Sequence, residues 1–238
     1  MPNSLCNKKM NNVFHKIKNG LIVSCQSEGN DPFNTPKGIT AFAKAAFMGG
    51  AVAIRSEGTE KIKSIKESVN LPIIGLLKST FPDGYVKITG SFNEVEKLIE
   101  IGCDIIAVDG TSRVRENLTG PNFIREIKSK YACLIMADIA TVNEAIACEI
   151  SGADCISSTL NGYTLDTIQN ATNTNFDIVK QLVQKIKIPV IAEGRINTPI
   201  EARKMLEYGA WSVVVGTAIT RPRIITQWYI KEMKKVEI

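Results

Sequence analysis

The chain has 238 residues, of which 44% are apolar and 22% charged, and a formal net charge of +5. This composition is ordinary for a globular domain, and the length is close to the roughly 250 residues of one β/α barrel. No apolar run reaches the ~20 residues that a membrane helix needs, and the polar, basic N-terminus has no apolar signal core. We therefore expect a cytoplasmic protein with no membrane partner, built as one domain over residues 20–238 after an extension over residues 1–19.

The basic residues form only short clusters, Lys8-Lys9 and Lys234-Lys235, near the two termini. Clusters this short predict solvated tails, so we expect no nucleic-acid partner, whereas a mild positive charge suits a small anionic ligand. No two cysteines form a CxxC pair, which argues against a zinc or redox motif. We expect reduced thiols at Cys6, Cys25, Cys103, Cys133, Cys148 and Cys155.

Eight short apolar runs alternate with amphipathic stretches along the chain. The runs are apolar nearly throughout, which is typical of parallel strands that are covered on both faces. In chain order the predicted strands are Leu21–Cys25, Ala51–Arg55, Pro72–Leu77, Ile105–Val108, Leu134–Ala137, Cys155–Ser158, Pro189–Ala192 and Ser212–Val215.

The stretches between these runs carry helix signals. Several end at a glycine before the next run, as in MGGAV, IGCDI, SGADC and YGAWS, and the tail PRIITQWYIKEMKK predicts a final helix. Eight strand–helix units in a chain of this length predict an α/β fold, a single (β/α)8 TIM barrel. An open doubly wound sheet fits this sequence less well than a closed barrel, because SCQSEG after the first strand lacks the GxGxxG pattern. Three helix starts match the capping box, in which a Ser or Thr caps an N–H and a Glu reaches back: Ser91 with Glu94, Thr141 with Glu144, and Thr198 with Glu201.

In this fold the active site lies at the carboxyl ends of the strands, so the residues that follow each run are the candidates. Lys78 follows the third run and can act as a base, form a Schiff base or bind an anion, or be an ordinary exposed lysine. As a base it needs burial or neighbouring cations, which Arg55 and Arg195 can supply in part. Glu193 follows the seventh run, where it can take a proton or bind a hydroxyl, or form a structural pair with Arg195.

Two glycines, Gly194 and Gly216, follow the seventh and eighth runs. The loops at these places commonly build the phosphate site of the barrel, since glycine lets backbone N–H groups approach an anion. Arg195 and Arg221 are candidate partners for phosphate oxygens. Tight turns without a ligand are the alternative for both glycines.

Asp109 and Asp138 end adjacent strands, and two carboxylates can bind a metal. The usual His ligands are missing from the sequence, because its single histidine, His15, lies in the N-terminal segment and is expected to be solvated. This argues against a zinc site and against a mechanism with His as acid or base.

Eight segments, in order and with near-constant spacing from Gly20 to Arg223, resemble those of the N-acetylmannosamine-6-phosphate 2-epimerase family. Each segment alone is weakly specific, but the full set is highly specific. The segments are GLIVSCQ, GGAVAIRSEG, LPIIGLLK, CDIIAVDGTSR, LIMADIATVNEA, DCISSTLNGYT, IPVIAEGRINTP and VVVGTAITRP.

The resemblance implies an isomerase that converts N-acetylmannosamine 6-phosphate into N-acetylglucosamine 6-phosphate in the breakdown of sialic acids or amino sugars. It implies that carbon 2 is inverted by removing its proton and returning one to the opposite face, with no metal, nicotinamide or other cofactor. Lys78 resembles the residue that exchanges this proton, and Glu193 resembles the family's second essential residue. The substrate-binding positions that the resemblance gives are Gln26, Arg55, Asp138, Thr159, Tyr163, Gly194, Arg195, Gly216, Thr217 and Arg221. The resemblance also implies a homodimer, to which Trp228 and Tyr229 of the final helix can contribute.

Two other functions stay open. An aldolase or synthase would use Lys78 as a Schiff base, and borohydride trapping with substrate separates it from a proton-transfer enzyme. A catalytically inactive barrel that senses a ligand and regulates RNA would keep the phosphate loops. Such a sensor has no need for both a base and an acid, so the pair Lys78 and Glu193 favours an enzyme.

Overall fold

Each of the eight predicted apolar runs forms a strand, and the bounds agree within two residues. The structure, a computed structural model, describes residues 12–81, 86–168 and 173–236. The strands are β1 (Leu21–Cys25), β2 (Ala53–Glu57), β3 (Ile73–Leu76), β4 (Lys78–Thr80), β5 (Val86–Ile88), β6 (Ile105–Asp109), β7 (Ile135–Asp138), β8 (Cys155–Ser157), β9 (Val190–Glu193) and β10 (Ser212–Val215).

Eight of these strands pair in parallel and close into a barrel in the order β1-β10-β9-β8-β7-β6-β3-β2. Because β1 also pairs with β2, the sheet has no free edge. The helices are α1 (residues 12–17), α2 (Pro36–Met48), α3 (Thr59–Lys66), α4 (Phe92–Glu100), α5 (Gly120–Lys130), α6 (Val142–Ile150), α7 (Phe176–Lys185), α8 (Pro199–Glu207), α9 (Thr217–Thr220) and α10 (Pro222–Met233). The predicted (β/α)8 barrel and the predicted final helix are both confirmed.

Two of the three predicted capping boxes are complete. Thr141 and Thr198 each cap the N–H three residues on, and the Glu at that position reaches back to the cap residue. At the start of α4, Ser91 caps the N–H of Glu94, but the Glu94 carboxylate accepts from the N–H of Gly90 at 2.7 Å. The local signals therefore mark all three helix starts.

The core has an inner and an outer layer, because neighbouring side chains on a strand point to opposite faces. The outer layer, between strands and helices, includes Val23 and Ile54 from strands and Ile39 and Phe123 from helices. The inner layer fills the barrel with Ile22, Ala53, Ile74, Ile105, Met136, Cys155, Ile191 and Val214. The next inward position on several of these strands is polar, so the apolar filling ends below the carboxyl rim.

The described part of the predicted N-terminal extension packs on the barrel. Val13, Phe14 and Ile17 of α1 are buried and belong to the inner cluster. The indole N–H of Trp211 donates to the Phe14 carbonyl at 2.8 Å. His15, on the same helix, is exposed, as expected. Residues 1–11 lie outside the described part, and the boundary at residue 19 stays a prediction.

A two-stranded antiparallel hairpin, β4 with β5, is inserted between β3 and α4. Lys78 is its first residue and pairs in register with Ile88, so it lies just above the barrel rim rather than at the end of β3. The sequence prediction included the strand β3 and missed this hairpin.

Five cysteines fall within the described residues, and none of these five is in a disulfide. Four are buried, and burial raises the pKa of the Cys25 thiol to about 12. Cys6 lies outside the described residues. None of the helices in the described ranges combines the length and apolar character needed to cross a membrane.

Candidate active site

A cavity of about 510 Å³ opens at the carboxyl ends of the strands. Apart from Asp138, all the predicted catalytic and substrate-binding residues line it: Gln26, Arg55, Lys78, Thr159, Tyr163, Glu193, Gly194, Arg195, Gly216, Thr217 and Arg221. Asp138 is completely buried behind Arg55. The structure therefore brings together residues from distant parts of the chain.

The strand period explains why polar side chains meet there. Arg55 and Glu193 each lie two residues beyond an inner-layer residue, Ala53 and Ile191, so they point into the barrel one layer higher. Asp138 follows Met136 in the same way. These side chains replace apolar filling with charge at the floor of the cavity.

Arg55 joins two carboxyl groups at this floor. Its guanidinium donates to both oxygens of Asp138, at 3.0 and 2.6 Å, and lies 3.1 Å from Glu193 Oε2. The side chains of Arg55 and Asp138 are 1% and 0% exposed, and that of Glu193 is 13% exposed. Burial alone would lower the pKa of Arg55, but the charges of Asp138 and Glu193 outweigh it and raise that pKa.

Glu193 is the carboxyl group of this trio that faces the cavity. Burial raises its pKa above the ordinary value; the Arg55 charge opposes that shift, while the Asp138 charge adds to it. The hydroxyl of Thr159 lies 3.0 Å from Glu193 Oε2 and 2.7 Å from Asp138 Oδ1. A buried carboxyl group with a raised pKa is suited to act as a general acid near neutral pH.

Lys78 is on the opposite side of the cavity from the barrel floor, on the hairpin, with a side chain that is 30% exposed. Its ammonium donates to Glu28 Oε1 at 2.7 Å, and the same oxygen accepts from Arg221 at 3.1 Å. The hydrogen bond from Lys78 is the main reason that the pKa of Glu28 is lowered. In this arrangement the direct charged partner of Lys78 is a carboxylate, not the arginines expected from the sequence.

Arg195 lines the cavity, but its guanidinium is held by the loop after β8. It donates to the carbonyls of Asn161 and Gly162 at 3.1 and 2.7 Å, and it lies 4.1 Å from the ring centre of Tyr163. Its backbone φ is +53°, and Gly194 before it has φ +120°. Two successive residues with positive φ form a sharp turn, for which glycine is favourable at the first position.

The eighth barrel strand, β10, ends directly at Gly216 and the short helix α9, which begins at Thr217. Arg221 follows α9 at the cavity mouth. In barrels of this fold, the loops after the seventh and eighth barrel strands, which are β9 and β10 here, commonly form the phosphate site together with a short extra helix.

The sequence prediction missed several residues of the cavity wall, notably Glu28, Arg113 and Asn197. Glu28 and Arg113 lie in loops three or four residues beyond a strand end, where no periodic signal operates. Asp109, considered above as a metal ligand, instead accepts from Arg113 at 2.5 Å and Arg115 at 2.9 Å. It thereby fixes the loop that carries Arg113.

Fold and site together define a β/α-barrel enzyme of the phosphate-binding type. A family model described as N-acetylmannosamine-6-phosphate epimerase matches residues 39–235. The chain belongs to this family.

Relatives named N-acetylmannosamine-6-phosphate 2-epimerase match almost end to end. One from Caldanaerobacter subterraneus subsp. tengcongensis is 46% identical over 226 residues, covering 94% of both chains. One from Clostridioides difficile is 42% identical and covers 93% of this chain and 99% of its own.

Two solved structures are similar. That of the N-acetylmannosamine-6-phosphate 2-epimerase from Clostridium perfringens has a TM-score of 0.86 at 42% identity, covering 92% of this chain and 95% of that one. A thiamine phosphate pyrophosphorylase from Pyrococcus furiosus has a TM-score of 0.59 at 18% identity, covering 87% and 89%, and shares the fold alone.

Proposed function

We propose that this chain is an isomerase that interconverts N-acetylmannosamine 6-phosphate and N-acetylglucosamine 6-phosphate by proton transfer at carbon 2. The observation that carries the proposal is one cavity that presents Lys78, Glu193 and the loops after β9 and β10 together. Membership of the epimerase family supports the same reaction. The pathway would be the breakdown of sialic acids or amino sugars.

The phosphate end of the substrate would lie against the loops after β9 and β10. Gly194, Gly216 and Thr217 line the cavity there, and Arg221 follows the short helix α9 at the same cavity. A guanidinium suits phosphate oxygens because it presents paired N–H donors. Arg195 would act mainly by shaping the loop, since its N–H groups already bind two carbonyls.

The sugar end would then lie between Glu193 and Lys78. Ring opening breaks the bond between carbon 1 and the ring oxygen. The ring oxygen gains a proton, and the carbon 1 hydroxyl gives its proton to water in the open cavity. Glu193, largely buried and with a raised pKa, would give the proton to the ring oxygen. Gln26, Arg55, Thr159 and Tyr163 would contact the sugar, and Asp138 would act on it through Arg55.

Carbon 2 becomes acidic once carbon 1 is an aldehyde. Lys78, in its neutral form, would take the carbon 2 proton and become an ammonium, and a solvent-derived proton would return to the opposite face of the planar intermediate. Glu28 holds the Lys78 ammonium, so this step requires that contact to break. Substrate phosphate would compete with the Glu28 carboxylate for Arg221.

A homodimer and a cytoplasmic location complete the proposal. The last helix, α10, has no buried residue, and Tyr229, Ile230 and Met233 are 69%, 48% and 67% exposed. A second copy of the chain would cover these side chains. The substrate carries phosphate charge and crosses a bilayer poorly, which supports a cytoplasmic enzyme.

The test is incubation of the purified protein with N-acetylmannosamine 6-phosphate, followed by proton NMR. We expect N-acetylglucosamine 6-phosphate to accumulate, and the unphosphorylated sugar to react much more slowly. Borohydride added during turnover is expected to leave Lys78 unmodified. A covalent adduct on Lys78 would support the Schiff-base alternative, and binding without product would contradict an isomerase.

A further inference from the structure

The Thr159 hydroxyl occupies an unusual position between two carboxyl groups. It lies 2.7 Å from Asp138 Oδ1, 3.0 Å from Glu193 Oε2 and 2.8 Å from the Ser157 hydroxyl. A hydroxyl has one proton to donate and two lone pairs that accept. Thr159 can therefore donate to Asp138 or to Glu193, but not to both.

Asp138 is the better acceptor of the two. Both of its oxygens already accept N–H groups of Arg55, as expected of a carboxylate, and it is closer to Thr159. Once Thr159 donates to Asp138, it turns a lone pair toward Glu193. An ionised Glu193 would then face that lone pair at 3.0 Å, whereas a protonated Glu193 would donate to it.

Other hydrogen-bond donors do not offset the repulsion between an ionised Glu193 and the lone pair of Thr159. The N–H groups of Arg55 that have hydrogen-bond geometry point at Asp138 and at the Met136 sulfur, so Glu193 receives only a charge contact. The Ser157 hydroxyl is 3.5 Å from Glu193 and closer, 2.8 Å, to Thr159. With Glu193 protonated, Thr159 accepts from Ser157 and Glu193 and donates to Asp138, so its whole capacity is used.

We propose that Thr159 is a positioning residue that keeps Glu193 protonated in the resting enzyme, with Glu193 donating to Thr159 and Thr159 donating to Asp138. This inference deepens the proposed function, because it supplies the proton that Glu193 gives to the sugar. Burial of Glu193 favours the same neutral form. A Thr159 hydroxyl that donated to Glu193 would lower the pKa of Glu193, and that opposing effect is removed when the hydroxyl donates to Asp138. The charged groups that face Glu193 are Arg55 from β2 and Asp138 from β7; those elsewhere on the cavity wall are Glu28, Lys78, Arg113, Arg195 and Arg221.

The arrangement also serves the state after proton transfer. When the O–H bond of Glu193 breaks and the ring oxygen takes the proton, Glu193 becomes a carboxylate. The Thr159 hydroxyl then turns about its Cβ–Oγ bond and donates to Glu193, and Asp138 keeps the two N–H groups of Arg55. Ring closure returns the proton to Glu193, and the hydroxyl turns back.

Infrared spectroscopy of the protein without substrate tests this directly. A protonated carboxyl group has a carbonyl stretch distinct from that of a carboxylate, and Glu193→Gln assigns it. In the wild type we expect the carbonyl band of protonated Glu193 at neutral pH. In Thr159→Val its titration midpoint should fall by about one pH unit, the equivalent of one hydrogen bond, and the high-pH limb of kcat/KM should fall with it.

Two controls separate the hydroxyl from general packing. Thr159→Ser keeps the hydroxyl, so its Glu193 should titrate at the same pH as in the wild type. Thr40→Val removes a buried hydroxyl outside the cavity and should also leave the titration of Glu193 unchanged. A wild type with no such band at neutral pH would overturn the proposal even if Thr159→Val fails to fold. An unchanged midpoint in a folded Thr159→Val would do the same. Because no substrate is needed, a protein that shows the band without turnover would contradict the proposed function alone.

Discussion

At the scale of single residues, Glu28 links the two ends of the cavity. One of its oxygens accepts from both Lys78 and Arg221, and its side chain is 57% exposed. Lys78 and Arg221 therefore hold the pKa of Glu28 below its ordinary value, so the carboxylate is charged at neutral pH. A negative charge at this place competes with substrate phosphate for Arg221.

We predict that Glu28→Gln lowers the KM for N-acetylmannosamine 6-phosphate, because Arg221 loses the carboxylate with which it pairs. An exposed ion pair contributes up to ~1 kcal/mol, so the decrease should reach about fivefold at low salt and shrink as salt is added. Steady-state kinetics at two ionic strengths measure it.

Glu57→Gln is the matched control, since Glu57 pairs with Lys61 at 3.0 Å outside the cavity wall. It should leave KM unchanged. A higher KM for Glu28→Gln would mean that Glu28 contacts the substrate favourably, and would contradict this interpretation.

At the scale of elements, sequence periodicity predicts the barrel strands and misses the short elements that lie in the loops. Continuous apolar runs located all eight barrel strands, because each such strand is covered on both faces. The hairpin β4–β5 and the helix α9 escaped prediction. The strands β4 and β5 are three residues long and α9 is four residues long, so none of them is long enough to show a period.

The final helix, α10, was predicted correctly, and its exposed apolar side chains call for a partner. We predict that replacing Ile230 and Met233 together by Glu converts a homodimer into a monomer, because charge on a covered apolar surface opposes association. Sedimentation velocity measures the change. The control pair, Met48→Glu with Ile200→Glu, lies on α2 and α8, and both side chains are more exposed than their counterparts on α10, but the change should leave the dimer intact. A wild type that sediments as a monomer at micromolar concentration would contradict the proposed dimer.

At the scale of the whole molecule, the barrel makes much of the site predictable. Strand ends converge on one rim, so reading the residue after each apolar run located Arg55, Lys78, Glu193 and Gly216 in one cavity. The partners of those residues could not be predicted in the same way. Whether Lys78 meets an arginine or Glu28 depends on loop conformation, and strand position alone does not show that Asp138 lies behind Arg55.

The central claim is that Lys78 exchanges the proton at carbon 2 inside this cavity. Proton NMR in deuterated water with N-acetylmannosamine 6-phosphate measures that exchange, with Lys78→Ala compared to Lys61→Ala, a lysine outside the cavity wall. The account predicts that wild type and Lys61→Ala form N-acetylglucosamine 6-phosphate with deuterium at carbon 2, and that Lys78→Ala forms neither product nor exchanged substrate. Product that retains its original carbon 2 proton, or full exchange by Lys78→Ala, would contradict it.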